Sequence, residues 1–369
     1  MQTEKKDEGI ETQENQKNLI AGWSLTSLCN LSCMHCYNDS GKKKGYELST
    51  DEALQIVKKL SDSNVQAVNF GGGECAIRPD FLTICEALAE NKIEVSYTTN
   101  GTTFDRIKNH LNLFHDIGVS IDFSDAKIHD FFRGNEGTFE KAIKTIDHLV
   151  EYGMDTEIVT CLNRQNASEK ELSGLFELAK NHNVDFWRLN KYRANGRAVK
   201  NTDFLALTQK TNKVAYDFFD KARGDKLSRI ADPVFRSIYG GSYQLPGDPS
   251  GKYSFRIQAN GEVTPSVFLH ESGGNILEKP LELILDSELF KKARNRTAQG
   301  KCIPCKEYYH CQGGDAGASY LAYGHFNGPD PLCYKNTSLP KNDSVKQVVV
   351  KDPNVHELYL CTMYIPIKK

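Results

Sequence analysis

Three thiols packed into eight residues constrain this chain more than any other feature. The segment C-N-L-S-C-M-H-C-Y runs from Cys29 to Tyr37 and follows the apolar stretch LIAGWSL. Three ligands is an odd number for a closed metal site, because structural zinc and an ordinary four-iron cluster each take four protein ligands. The trio therefore implies a metal centre with an open position. Taking His35 as a fourth ligand would make a zinc site, but His35 sits beside Cys36, where a short loop struggles to aim both at one tetrahedral ion. Compartment bears on this choice. The first 18 residues, MQTEKKDEGIETQENQKN, lack the apolar centre of a signal peptide, and no apolar run of about 20 residues could span a bilayer. A cytoplasmic protein is expected, whose 11 cysteines stay reduced and serve metal binding or catalysis.

The spacing C-x3-C-x2-C followed by an aromatic, here Cys29, Cys33, Cys36 and Tyr37, resembles the motif of radical S-adenosylmethionine enzymes. The resemblance implies a 4Fe-4S cluster whose unique iron binds the amino and carboxylate groups of S-adenosylmethionine. One electron passed into the sulfonium then yields methionine and a 5′-deoxyadenosyl radical that abstracts hydrogen. It also implies an external one-electron donor such as flavodoxin or ferredoxin.

A second segment, QAVNFGGGEC at 66–75, reads as an apolar strand ending in glycines and a carboxylate. Glycine permits close backbone approach, and Glu74 can accept from an ammonium. Alone, a triple glycine is more often a tight strand-to-helix turn. In the resembled family the corresponding Gly72, Gly73 and Glu74 bind the methionine amino group. Strand-like and helix-like stretches then alternate: strands near 93–101, 118–123, 155–163 and 184–190, with helices near 103–117, 137–153 and 168–183. With the strands before Cys29 and Gly71 this makes about six right-handed βαβ units, too few for a closed eight-stranded barrel. The expected fold is α/β, a partial (β/α)6 radical SAM barrel with its ligand site at the carboxyl ends of the strands. Strand ends and nearby loops then supply further candidates for the cosubstrate or substrate: Asn100, Ser120, Asp122, Arg133, and Leu189 with Asn190 near the adenine. Residues 1–18 are expected to be a polar, disordered segment, 19–225 the core barrel and 226–369 the extension.

Near the other end, Cys302, Cys305, Cys311 and Cys333 form a second set, C-x2-C-x5-C and one later cysteine. Four thiols can close one site, and zinc is the alternative occupant. The arrangement resembles the SPASM extension, whose seven cysteines serve two auxiliary iron-sulfur clusters. Here the position five after Gly261 is Ser266 and the position four after Cys311 is Asp315, so the ligands missing are those of the cluster nearer the barrel. One auxiliary 4Fe-4S cluster is expected, with Asp315 a possible oxygen ligand to a second.

Cys85 and Cys361 read as ordinary buried thiols. Cys161, at the end of TEIVTC, and Cys75, beside Glu74, are candidate hydrogen-atom donors at the barrel mouth. Lys plus Arg is 46 and Asp plus Glu 48, giving net −2 and no basic excess for nucleic acid or a membrane surface. The resemblance implies either maturation of a ribosomally made peptide by crosslinking, oxidation or epimerisation, or an epimerase or dehydrogenase acting on a sugar, aminocyclitol or other small metabolite. Two four-iron clusters correspond to about eight iron per chain, and replacing Cys29, Cys33 and Cys36 together by Ala leaves about four. Iron analysis of anaerobically reconstituted protein checks this, and a parent value near twelve would mean a second auxiliary cluster.

Overall fold

The computed structural model describes residues 19–42, 44–224, 230–243, 246–335, 347–349 and 361–368. The polar segment expected at 1–18, and the boundary expected near 225, lie outside the described residues.

Six strands lie side by side, parallel and in sequence order: β1 (Leu19–Thr26), β2 (Val65–Gly72), β3 (Glu94–Thr99), β4 (Asp116–Ser120), β5 (Asp155–Leu162) and β6 (Phe186–Lys191). The helices α1 (Thr50–Asp62), α2 (Phe81–Glu90), α3 (Ala126–Arg133), α4 (Thr138–Tyr152) and α5 (Glu169–Asn181) fall in the crossovers. The sheet does not close on itself, so the partial barrel expected from the sequence is what forms. Strands from later in the chain continue both edges. Of β7 (Gly241–Tyr243), β8 (Ser254–Ile257), β9 (Glu262–Thr264), β10 (Gly274–Asn275), β11 (Gln347–Val349) and β12 (Met363–Pro366), β8 pairs parallel with β1 and β12 antiparallel with β6. β9 and β10 extend the β8 edge, and β7 pairs with β11 in a separate ribbon.

Successive side chains of a strand point to opposite faces. In β6, Trp187 and Leu189 enter the main core while Arg188 and Asn190 line a cavity on the other face. β5 repeats this with Ile158 and Leu162 on the core side and Val159 and Cys161 on the cavity side. Helices cover the core face, which is why both faces are buried and the strands read as nearly continuous apolar runs. The helices carry ordinary start signals: Ser49 and Glu52 form a capping box on α1, and the Ser168 hydroxyl accepts from the Glu171 N–H on α5.

The helix expected over 103–117 is absent. Phe104, Ile107, Leu111 and Phe114 are buried at helix-like spacing, yet the segment forms two short 3-10 turns, Phe104–Arg106 and Leu111–Leu113. Tethers at its start hold it: Thr103 Oγ1 donates to Glu74 Oε1, and Arg106 Nη1 donates to the carbonyls of Ala76 and Ile77.

Trp187 is fully buried, its indole N–H donating to Thr160 Oγ1 at 2.9 Å and its ring 5.5 Å from that of Phe219. Trp187→Ala is expected to cost about 3–5 kcal/mol by anaerobic equilibrium denaturation; a loss under about 1 kcal/mol would show that this face of β6 is not core.

Candidate active site

A cavity enclosing about 1220 Å³, counting its open mouth, occupies the carboxyl ends of the strands. It brings together Cys29, Cys33 and Cys36 with Gly72, Gly73, Glu74, Asn100, Ser120, Arg133, Cys161 and Asn190.

The cysteine loop hangs from backbone bonds. Cys29 N–H donates to Gly41 O at 2.9 Å, Met34 N–H to Phe132 O at 3.0 Å, and Cys36 N–H to Cys33 O at 3.3 Å. Arg197 pins the loop from outside, its Nε donating to Cys33 O and its Nη1 to Ser40 O, both at 2.9 Å. Among the described residues, no three candidate donor atoms from this loop, His35 included, lie within 4.8 Å of one another. Tetrahedral zinc with 2.3 Å bonds needs sulfurs about 3.8 Å apart. The donor atoms of the loop are therefore spread more widely than a single tetrahedral ion would hold them. His35 stacks on Phe132 at 4.6 Å, and burial holds its pKa down at about 4, so the ring is neutral near pH 7. Burial pushes Cys29 up to about 11 and raises Cys33, so without a metal these are protonated thiols, and metal loading must release protons.

Backbone geometry explains the glycines. Gly72 has φ +101°, and a Cβ on Gly73 would fall 2.0 Å from Leu28 O. That approach lets Gly73 N–H donate to Thr26 O and Glu74 N–H to Leu28 O, each at 2.9 Å, joining the shelf to the cysteine loop. Glu74 Oε1 accepts from the Tyr97 hydroxyl and from Thr99 Oγ1 and Thr103 Oγ1 at 2.7 and 2.6 Å, while Oε2, among the described residues, accepts only the Asn100 N–H at 3.0 Å. Glu74 is 2 % exposed, and among the described residues no cation pairs with it. A buried carboxylate with spare capacity on one oxygen is matched to an incoming ammonium.

Other expected residues divide. Asn100 Nδ2 donates to Asn30 Oδ1 at 3.1 Å and lies 3.9 Å from Cys29 Sγ. Arg133 sits at the end of α3, with Nη1 3.8 Å from Cys33 Sγ and Nη2 2.6 Å from Asp122 Oδ2. Asp122 itself is fully buried and does not line the cavity. Burial would raise its pKa, but Arg133, the neighbouring His35 and His129 and the Cys161 N–H together outweigh that and keep it lowered. It orients two residues that do line the cavity, holding Arg133 and accepting the Cys161 N–H at 2.8 Å. Leu189 is corrected as well: period-2 alternation turns its side chain into the core and leaves Asn190 facing the cavity. Cys75 also packs in the core, its thiol donating to Gly71 O at 3.3 Å, so it does not face the cavity. Cys161 does, and burial lifts its pKa well above the usual value, leaving a neutral thiol.

Sequence reading missed the opposite wall, formed by Arg188, Lys191, Arg193 and Arg256. The signal was present in RLNKYRANGR, where cations fall on and just beyond the end of β6. Their acids stand behind them: Glu157 lies 2.9 Å from Arg188, Asp232 2.7 Å from Lys191 and Asp315 2.7 Å from Arg193.

Cys302, Cys305, Cys311 and Cys333 line one smaller cavity of about 340 Å³, counting its open side. Among the described residues, no three of their sulfurs lie within 4.8 Å of one another, a wider spread than one tetrahedral zinc ion would hold. Ser266 and Asp315 both approach Gly317: a Cβ there would lie 2.4 Å from Ser266 Oγ and 3.3 Å from Asp315 Oδ1. Both Asp315 oxygens are engaged, Oδ1 accepting the Ala318 N–H at 2.8 Å and Oδ2 receiving Arg193 Nη2. Asp248 and Cys361 bring their donor atoms within 4.8 Å of Asp315.

Residues 23–175 match the family described as the Radical SAM superfamily. Mycofactocin maturase MftC of Mycolicibacterium smegmatis is 30% identical over 331 residues, 86% of this chain and 83% of that one. An AdoMet-dependent heme synthase of Methanosarcina barkeri is 28% identical over 343 residues, 86% and 97% of the two chains. Among solved structures, native anSMEcpe with bound AdoMet and Cp18Cys peptide superposes with TM-score 0.68 at 18% identity over 85% of this chain and 93% of that one. Streptococcus suis SuiB bound to precursor peptide SuiA gives 0.63 at 18% identity over 86% and 76%. At such identities the structures establish the fold alone. No helix among the described residues is long and apolar enough to cross a membrane.

Glu74→Gln removes the charge while keeping the shape. It is expected to weaken S-adenosylmethionine binding by about 1.5–3 kcal/mol, roughly ten- to a hundredfold, in equilibrium binding to the reconstituted protein; unchanged affinity would take Glu74 out of ligand binding.

Proposed function

Because this chain belongs to the radical S-adenosylmethionine superfamily, we propose that it is a maturase that abstracts hydrogen from a peptide substrate. The observation that carries the reading is the single cavity lined by Cys29, Cys33, Cys36, Gly72–Glu74, Arg133 and Cys161. The peptide half of the reading is supported by a relative named a maturase and by two structures of the same fold holding peptides.

Bound against the three thiols, a four-iron cluster and S-adenosylmethionine supply one-electron cleavage and hydrogen abstraction. The remaining work belongs to side chains. Cys29, Cys33 and Cys36 give three thiolates and leave a fourth position to the cosubstrate. Glu74 Oε2 takes the methionine ammonium, and the Gly72–Gly73 backbone lets it approach. Arg133, fixed by Asp122, offers a guanidinium for the carboxylate, with Ser120 and Asn100 beside it. Cys302, Cys305, Cys311 and Cys333 hold one auxiliary four-iron cluster as electron acceptor, and a flavodoxin- or ferredoxin-like donor supplies the first electron.

A second reading, an epimerase of a peptide residue or small metabolite, is favoured by Cys161. Its neutral thiol borders the cavity and could return a hydrogen atom.

Reduced, reconstituted protein with S-adenosylmethionine is expected to form 5′-deoxyadenosine, and none would reduce the chain to an iron-binding scaffold. In deuterium oxide, an epimerase would place solvent label in the inverted product and lose that label in Cys161→Ala while still forming 5′-deoxyadenosine. For a crosslinking or oxidising maturase, Cys161→Ala leaves product formation intact.

A further inference from the structure

The barrel cavity and the carboxy-terminal thiol cavity are separated by a thin layer of buried charge. Asp330 lines the thiol cavity together with the four cysteines. Lys191 and Arg193 line the barrel cavity. Their side chains meet: Asp330 Oδ2 lies 3.7 Å from Lys191 Nζ and 3.9 Å from Arg193 Nη2, with Asp330 1 % exposed.

Asp330 cannot swing away from either neighbour. Its N–H donates to Gly313 O at 2.8 Å, its Oδ1 accepts the Leu332 N–H at 2.8 Å, and its carbonyl accepts the Cys333 N–H at 3.1 Å. Lys191 is anchored through Asp232, which caps the helix Pro233–Tyr239 by accepting from Val234 and Phe235 N–H at 2.9 and 3.0 Å. That helix contributes Ser237 to the thiol cavity. The other charged residue lining the thiol cavity is Lys301, whose Nζ donates to Cys333 O. Charges buried this deeply are weakly screened, so each is felt on both sides of the layer.

We propose that Asp330, held by Lys191 and Arg193, couples the two cavities electrostatically, so that an anionic substrate group engaging those cations lowers the reduction potential of the cluster held by the four thiols. The inference rests on the reading that Cys302, Cys305, Cys311 and Cys333 hold a four-iron cluster. Its sign follows from charge alone. A cation near a cluster favours the reduced, more negative state, and an anion opposes it. Lys191 and Arg193 raise the potential and Asp330 lowers it. All three act by positioning charge and touch neither iron nor substrate carbon in the redox step.

The test uses the full chain, reconstituted anaerobically with iron and sulfide, in a Cys29/Cys33/Cys36→Ala background so that one cluster remains. Redox titration followed by electron paramagnetic resonance reads its midpoint. Asp330→Asn is expected to make the cluster about tenfold more reduced at a fixed poise, a rise of about 59 mV for a one-electron couple. Lys191→Met and Arg193→Gln are expected to move it the opposite way. A merely structural disturbance would not produce opposite signs. Failure of the background protein to retain iron would overturn the cluster reading, and the coupling with it. Retained iron with unmoved midpoints, or with all variants shifting in one direction, would overturn the coupling alone. If Asp330→Asn does not fold, the two cation variants decide, and anything but a downward shift overturns the proposal.

Discussion

A parallel strand exposes alternate side chains to two environments, and this chain gives those environments opposite characters. One face of β1–β6 meets helices and is filled by residues such as Trp23, Phe70, Trp187 and Leu189. The other opens on a cavity lined by thiols, glycines, amides and guanidinium groups. A shift of one residue in any strand would exchange the sets. It would drive Arg188 into a core of tryptophan and phenylalanine and turn Trp187 toward the cosubstrate. The apolar face thus fixes the register, and register in turn places the chemistry.

That division forces the cavity-facing polar groups to be partnered from behind. Six cations line the cavity, against the single carboxylate of Glu74. Removing one partner from a buried pair costs about 3–5 kcal/mol, because the survivor is left without compensation. Arg188 with Glu157, Lys191 with Asp232 and Arg133 with Asp122 are pairs of this kind. Each points a cationic end at the cavity and keeps its acid out of it. Net charge near neutrality therefore hides a strongly polarised interior, in which the cavity wall is basic.

What the sequence made legible was local. Cys29, Cys33 and Cys36 share one loop, and Gly72–Glu74 follow the apolar run of β2, so spacing and pattern sufficed to find them. Alternating strands and helices were likewise readable, because each βαβ unit is built from neighbours in the chain. Contacts made across long separations were not. Glu74 is clamped by Tyr97, Thr99 and Thr103, and no short pattern links those positions. β8 and β12 join the barrel sheet from residues far beyond β6, a pairing that strand propensity cannot assign to a partner. Leu189 and Cys75 were misplaced for a simpler reason. Being near a strand end says how far along the cavity a residue sits, and only the phase of the alternation says which way it faces.

Ser266 and Asp315 show how a change in ligands is absorbed by the fold. They stand where the resembled extension carries cysteines, and the structure brings both beside Gly317. Substituting two thiols with a hydroxyl and a carboxylate would leave a buried charge unless something else moved in. Arg193, from just beyond β6, supplies the counter-charge, and the N-terminus of the helix Ala316–Tyr323 takes the remaining oxygen through the Ala318 N–H. Both donors also hold the segment that precedes Asp330 and Cys333. Arg193, Asp315 and Asp330 form an ion network that joins the cavity wall to the four thiols. Arg193 and Asp315 therefore belong to one structural solution: removing either would leave the other's buried charge without its nearest partner.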